Sequence, residues 1–86
     1  MNSHDYHKLG NSLQESGEFN DAVAAYCKAV ELNPDFSWSH HSLGDVLLKL
    51  ERWEEAVAAY KKAVELNPDF SWSYHNLGDA LLKLER

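Results

Sequence analysis

Apolar residues recur along the chain at helical spacing. From Trp38 to Leu50, Leu43, Leu47 and Leu50 stand at i, i+4 and i+7; from Glu54 to Leu66, Ala56, Tyr60, Ala63 and Val64 stand at i, i+4, i+7 and i+8. Both spacings gather apolar side chains on one face of a helix, and both stretches are rich in the good helix formers Leu, Ala, Lys and Glu. There is no strand candidate, linker or low-complexity tract. The pattern predicts five helices, over about residues 4–16, 20–32, 37–50, 54–66 and 71–85.

The residues between the helices agree. Asn33-Pro34 and Asn67-Pro68 end the second and fourth helices, because proline cannot continue a helix and pushes the residue before it out of the helical region. Asp35 or Ser37, and Asp69 or Ser71, are the cap candidates for the helices that follow. Gly17 suits a left-handed turn after the first helix, with Asn20 as the next cap. Glu51 and Glu54 hold the corresponding places in the second turn and suit them less, so that turn is expected to carry strain.

The whole pattern repeats every 34 residues. Pro34-Asp35-Phe36-Ser37-Trp38 returns as Pro68-Asp69-Phe70-Ser71-Trp72, Leu9-Gly10 as Leu43-Gly44 and Leu77-Gly78, and Ala22-Val23-Ala24-Ala25-Tyr26 as Ala56-Val57-Ala58-Ala59-Tyr60. A fixed period of this length implies stacked units, each covering its neighbours, rather than one central core. The units run over residues 1–36, 37–70 and 71–86, the last a single first helix. From residue 37 onward the second and third units differ at three of sixteen aligned positions, His40/Tyr74, Ser42/Asn76 and Val46/Ala80, which suggests recent duplication or deliberate design. The stop at Arg86 suggests a segment of a longer array, or a chain closed with a lone first helix.

These residues carry a family resemblance. Tyr6-x2-Leu9-Gly10-x2-Leu13, Ala22-x3-Tyr26 and Pro34, then His40-x2-Leu43-Gly44-x2-Leu47, Ala56-x3-Tyr60 and Pro68, then Tyr74-x2-Leu77-Gly78-x2-Leu81, resemble the tetratricopeptide repeat signature. The near-identical units are similar to those of bacterial arrays. The resemblance implies an all-α fold, a right-handed α-solenoid of antiparallel helix hairpins with two and a half repeats. Gly10, Gly44, Ala22 and Ala56 would let the helices of a hairpin approach closely, and Tyr26, Tyr60, Ala29 and Ala63 would fill the seam to the next hairpin. His40 departs from the large aromatic the family prefers. It reads as a flat filler with a polar tip, the alternatives being a pH switch or a ligand.

Composition narrows the partners. A net charge of −6 lacks the basic footprint that nucleic acid or an anionic membrane requires, but accommodates a neutral or basic peptide. No apolar run approaches a membrane span, and Met1-Asn2-Ser3-His4-Asp5 lacks the basic-then-apolar pattern of a signal peptide, so none is expected. Cys27 is the only cysteine, so no intrachain disulfide can form, which points to a reducing cytoplasm. Lys61 takes its place in the next unit, which marks the position as solvent-facing.

In the family, first helices line a concave groove. Carried across, its wall here is His7, Asn11 and Gln14; Trp38, His41, Asp45, Leu48 and Lys49; and Trp72, His75, Asp79, Leu82 and Lys83. Trp38 and His41 at i, i+3, and His41 and Asp45 at i, i+4, share a face. Exposed tryptophans there would anchor a peptide. Alternatively, Trp38 and Trp72 fold over Phe36 and Phe70 and stiffen the turns. The family's chaperone-tail clamp uses Lys and Asn on the first helix, Asn on the third, and Lys and Arg on the fifth. His7, Asn11, Ser42, Trp72 and Asn76 stand there, so the cations are missing and that ligand is not expected.

His41, Asp45, His75 and Asp79 have metal-ligand residue types, but equally form ordinary solvated pairs, and no HExxH or CxxC motif supports a metal. His4 and His7 could bind nickel or zinc adventitiously. No nucleophile–base–orienter set is legible, the serines reading as caps or turn residues, so neither an enzyme nor a cofactor is expected. The reading is a protein-interaction scaffold holding a peptide or helix in its groove, or alternatively a self-assembling repeat module without a specific ligand. Leu77, Ala80, Leu81 and Leu84 on the uncovered fifth helix would form a sticky patch and pair two chains as a homodimer, unless Lys83, Glu85 and Arg86 keep that helix solvated.

Overall fold

The computed structural model describes residues 1–85. Five helices follow in order: α1 (Ser3–Glu15), α2 (Phe19–Leu32), α3 (Ser37–Lys49), α4 (Trp53–Leu66) and α5 (Ser71–Leu84). Each packs mainly on its sequence neighbours, α1 on α2, α2 on α3, α3 on α4 and α4 on α5. The result is an α-solenoid of about two and a half repeats, extending 38 × 27 × 17 Å. Instead of one core there are two linked clusters. Ala22 and Tyr26 close with Val46 of the next unit, and Leu47, Ala56 and Tyr60 close with Ala80 of the unit after; Val23 and Leu43 border both.

Glycine sets the hairpin spacing. A Cβ on Gly10 would stand 2.5 Å from Tyr26 Cε1, and one on Gly44 would stand 2.7 Å from Tyr60 Cε1. The tyrosine rings therefore lie first of all inside their own hairpins, on the glycines, rather than only in the seam to the next unit. Tyr26 reaches that seam as well, through Val46.

The turns inside the hairpins are built alike. After α1, Glu18 N–H donates to Leu13 O at 2.8 Å and Gly17 N–H to Gln14 O at 3.0 Å; after α3, Arg52 N–H donates to Leu47 O at 2.9 Å and Glu51 N–H to Leu48 O at 3.1 Å. This closure needs a left-handed residue, supplied by Gly17 at φ 79° and by Glu51 at φ 62°. The strain expected in the second turn thus sits on Glu51.

The cap expectations need correction. Asn2 and Asp5 form a reciprocal capping box at the start of α1. The other helices start without a side-chain cap. Glu18 and Arg52 hold the cap positions of α2 and α4, so Asn20 and Glu54 lie inside the first turn. Phe36 and Phe70 precede α3 and α5, where Asp35, Ser37, Asp69 and Ser71 had been the candidates. The reason is packing: the residue at each of these positions aims its ring back onto the first helix of its own unit, Phe36 meeting His7 edge-on at 5.7 Å and Phe70 stacking on His41 with centroids 4.7 Å apart.

The fifth helix also departs from expectation. Ala80 is fully buried and Leu77 packs on the same cluster, so both belong to the interior rather than to an open patch. Leu81 and Leu84 are exposed, together with Tyr74. Arg86 lies outside the described residues. No helix among the described residues is long and apolar enough to cross a membrane.

Candidate functional site

The seam between units is polar at its centre. His7 Nδ1 lies 3.2 Å from Ser39 Oγ, and 34 residues later His41 Nδ1 lies 2.7 Å from Ser73 Oγ. His41 Nε2 faces Asp45 Oδ2 at 3.3 Å. A carboxylate there favours the tautomer protonated at Nε2, so in the neutral ring Nδ1 accepts the Ser73 hydroxyl proton. Asp45 also accepts from the Tyr60 hydroxyl and, at 2.9 Å, from Asn76 Nδ2. One carboxylate thereby joins α3, α4 and α5. In the first unit the Tyr26 hydroxyl shares its proton between Asn11 Oδ1 at 2.6 Å and Gln14 Oε1 at 2.9 Å.

These contacts set the titrations. Burial works to raise the Asp45 pKa, but the hydrogen bonds from His41, Tyr60 and Asn76, together with the His41 charge, outweigh it and hold the carboxyl below its ordinary value. Burial pushes the Tyr26 phenol up to about 12. It raises Tyr60 further, with the Asp45 carboxylate as the next cause. His7 is held below its ordinary value by burial and by nearby His4.

Ser73, His41 and Asp45 thus form a serine–histidine–carboxylate relay that sequence reasoning missed, because Ser39 and Ser73 were read as cap or turn residues. Both lie inside their helices and are fully buried. A nucleophile needs access to substrate; the Ser73 hydroxyl has none, so this relay braces the seam. The legible signal was the constant separation of His7 from Ser39 and of His41 from Ser73.

The expected groove residues divide into two sets. His41 is only 7% exposed with both ring nitrogens engaged, and Asp45 is half-buried; they lie beneath the exposed first-helix face rather than on it. Trp38 packs its ring on Phe70 at 4.4 Å and meets His41 edge-on at 5.7 Å, with about half its surface still open. Trp72 is 67% exposed and, with Ser71 and His75, borders a hollow of about 320 Å³. Asn11, Asp79 and Leu82 are exposed, and Leu48 is half-buried. Lys49 reaches over the Phe19 ring at 5.4 Å and Lys83 over the Trp53 ring at 5.8 Å, so both ammonium groups sit over the start of a second helix. Asn11, Gln14 and Lys49 share a second hollow of about 300 Å³ with Glu15.

His40 is buried, and its Nε2–H donates to Pro34 O at 2.8 Å. The ring fills space and its tip satisfies a carbonyl at the unit junction. His41, Asp45, His75 and Asp79 do not converge, and no group of three or more His, Cys, Asp and Glu among the described residues could hold a metal. Cys27 is exposed, and partial burial raises its thiol pKa.

Stacked antiparallel hairpins, with glycine under tyrosine in each and an aromatic first-helix wall, define a helical-repeat protein of the interaction type. The TPR repeat family profile matches residues 10–51 and 44–85, and the chain belongs to the tetratricopeptide repeat family. No curated protein matches it. Among solved structures, it is similar to MamA, with a TM-score of 0.90 and 26% identity over 92% of this chain and 46% of that one. It therefore spans about half the length of MamA. It shares its fold with the second TPR domain of Spaghetti (RPAP3) bound to the HSP90 peptide SRMEEVD, with a TM-score of 0.96 and 19% identity over 99% of this chain and 79% of that one. The same holds for the TPR2B domain of yeast Sti1 in a pHsp70 complex, with a TM-score of 0.92 and 23% identity over 95% and 66% of the two chains.

Proposed function

We propose that this chain is a protein-interaction scaffold whose concave wall holds a peptide or helical segment. The observation that carries the reading is Trp72, open on the wall beside His75 and a hollow of about 320 Å³. Large aromatic side chains on a rigid wall are the usual energetic centres of such interfaces. The structures of Spaghetti and Sti1, solved with chaperone partners on the same fold, support peptide capture as the mode. The ligand class differs. His7, Ser42, Trp72 and Asn76 stand where a carboxylate clamp would place cations or an amide, and the net charge of −6 suits a neutral or basic peptide with an aromatic or aliphatic anchor.

Binding is read by calorimetry against hits from a peptide array. Trp72→Ala is expected to weaken binding by roughly 1–2 kcal/mol or more. Undiminished affinity in the double variant Trp38→Ala, Trp72→Ala would show that the peptide lies elsewhere. The exposed Leu81 and Leu84 support a role for the fifth helix in association as well.

A further inference from the structure

Two departures from the repeat meet in space. Between Ala22–Phe36 and Ala56–Phe70 the only difference is Cys27 for Lys61, and His40 stands where the neighbouring units have Tyr6 and Tyr74. Cys27 and His40 border one hollow of about 360 Å³ between α2, α3 and α4. Its apolar lining includes Val23, Leu43, Leu47 and Ala59, all buried or half-buried. Cys27, Arg52, Glu55 and Ala58 are exposed and mark its mouth. His40, Leu43 and Leu47, at i, i+3 and i+7, share a face of α3 distinct from the one carrying Trp38, His41 and Asp45, so the hollow is separate from the concave wall.

The polar groups at this hollow are not equally free. The Arg52 guanidinium donates to Glu55 twice, at 3.1 and 2.6 Å, and Lys62 Nζ lies 3.5 Å from Glu65. Each charge at the mouth therefore has a counter-charge, and none is left over to select an ion. His40 differs. Its Nε2–H is committed to Pro34 O at 2.8 Å, which leaves Nδ1 of the neutral ring as an acceptor. No group among the described residues donates to Nδ1, yet no buried side-chain nitrogen there is unpaired, so Nδ1 keeps accessible surface. In a ring only 7% exposed, that surface opens on the hollow the ring borders. A cavity of about 150 Å³ is enough for benzene. The larger volume here leaves room for a bicyclic ring.

We propose that this hollow binds a small, neutral, largely apolar molecule carrying one N–H or O–H donor, of the indole or phenol class, with its body against Val23, Leu43 and Leu47 and its donor on His40 Nδ1. The paired charges select neutrality, the lining selects the apolar body, and the one open acceptor selects the donor. The occupant is a free molecule rather than a side chain of another protein. Arg52, Glu55 and Lys62 ring the mouth, and a partner's backbone laid across them would have to displace their hydration. The residues of the other units would not make this site: a tyrosine at position 40 takes ring space, and a lysine at position 27 sets an ammonium at the mouth. Nothing here rests on the groove reading.

The probe is indole, titrated into the isotopically labelled chain and followed by NMR and by alkylation of Cys27, the sole thiol, with iodoacetamide. Saturable shifts at Val23, Leu43 and His40 are expected, with alkylation slowing along the same binding curve. 1-Methylindole keeps the ring but lacks the donor, and should bind about fivefold more weakly or worse. N-acetyltryptophanamide carries the ring on a peptide backbone and should also bind more weakly than indole. His40→Tyr installs the residue that the neighbouring units hold, and should abolish the shifts while circular dichroism shows the helices intact. Ala58→Phe blocks the exposed mouth without entering the core, and should do the same. Neither variant alters Trp72 or His75, so capture of a groove peptide should persist and the two readings fail separately. The proposal is overturned if indole gives no saturable shift at these residues, if 1-methylindole binds as tightly, or if either variant binds indole as well as the wild type. Tighter binding of N-acetyltryptophanamide than of indole would also overturn it, by making the hollow a seat for a protein side chain.

Discussion

Leu43-Gly44-Asp45 and Leu77-Gly78-Asp79 are the same tripeptide at the same place in two successive first helices, yet the structure assigns opposite signs to the same substitution. A methyl group on Gly44 would lie 2.7, 2.8 and 2.9 Å from three atoms of the Tyr60 ring, well inside the ordinary carbon separation of about 3.5–4.0 Å. The ring cannot easily retreat, because it is fully buried and its hydroxyl is tied to Asp45. Overpacking of this kind costs about 1–3 kcal/mol. Replacing a mid-helix glycine by alanine returns about 0.5–1 kcal/mol of backbone entropy. Gly44→Ala is therefore expected to destabilise by about 1–2 kcal/mol. At Gly78 only the entropic gain applies, so Gly78→Ala should stabilise by about 0.5–1 kcal/mol. Urea unfolding followed by far-ultraviolet circular dichroism reads both as shifts of the midpoint. A Gly44→Ala variant as stable as the wild type, or a Gly78→Ala variant less stable than it, would refute the packing argument.

Three further outcomes are expected. Glu51→Gly relieves a non-glycine residue from the left-handed region and should raise stability by roughly 1 kcal/mol, while Gly17→Ala should lower it by a similar amount; thermal melts compare the two. Asp45 has a folded pKa below its ordinary 3.8, so its stabilising contribution is present above that value and is lost as pH falls through the lowered one; acid unfolding should be flatter in Asp45→Asn over that range. Ser73→Ala leaves His41 Nδ1 without its buried partner and should cost about 1–3 kcal/mol, with faster amide exchange concentrated in α5; unchanged exchange there would remove the brace from the account.

What the sequence made legible was whatever repeats. The period, the five helices, the hairpin glycines and the left-handed turn at Gly17 all follow from side-chain size and spacing, which local sequence carries directly. The cap positions were misread because local propensity favours Asp and Ser there, while the actual choice was made by the phenylalanine ring that reaches back to the first helix of its own unit. Ala80 was misread because α5 was judged only by the cover it lacks on one side; its other side packs on α4, where Ala80 joins the cluster of Leu47, Ala56 and Tyr60. His41 was misread for a related reason. A helical wheel places it on the groove face, but Phe70 from the end of its own unit and Ser73 from the next close over it. Such contacts span about a full repeat, and a helical-spacing pattern does not encode them.

The same contacts bear on what the groove can do. A purely apolar seam would tolerate small slips between units, because hydrophobic burial is non-directional. The seam here contains Ser39, Ser73, His41 and Asp45, which are buried or half-buried and hydrogen-bonded across unit boundaries. Each contact is directional, and a buried polar group left unpaired is costly, so sliding one unit on the next would forfeit several at once. The angle between successive first helices is thereby fixed before any ligand arrives. Trp38 is held in place by Phe70 at 4.4 Å, so one of the two wall tryptophans is already ordered. An ordered wall loses less side-chain entropy on binding, and only the surplus over such losses appears as affinity. In the proposed peptide-binding reading, the polar residues behind the wall would act on binding without touching the peptide, whereas Trp72, open and without such a stacking partner among the described residues, would be where direct contact energy is left to be gained.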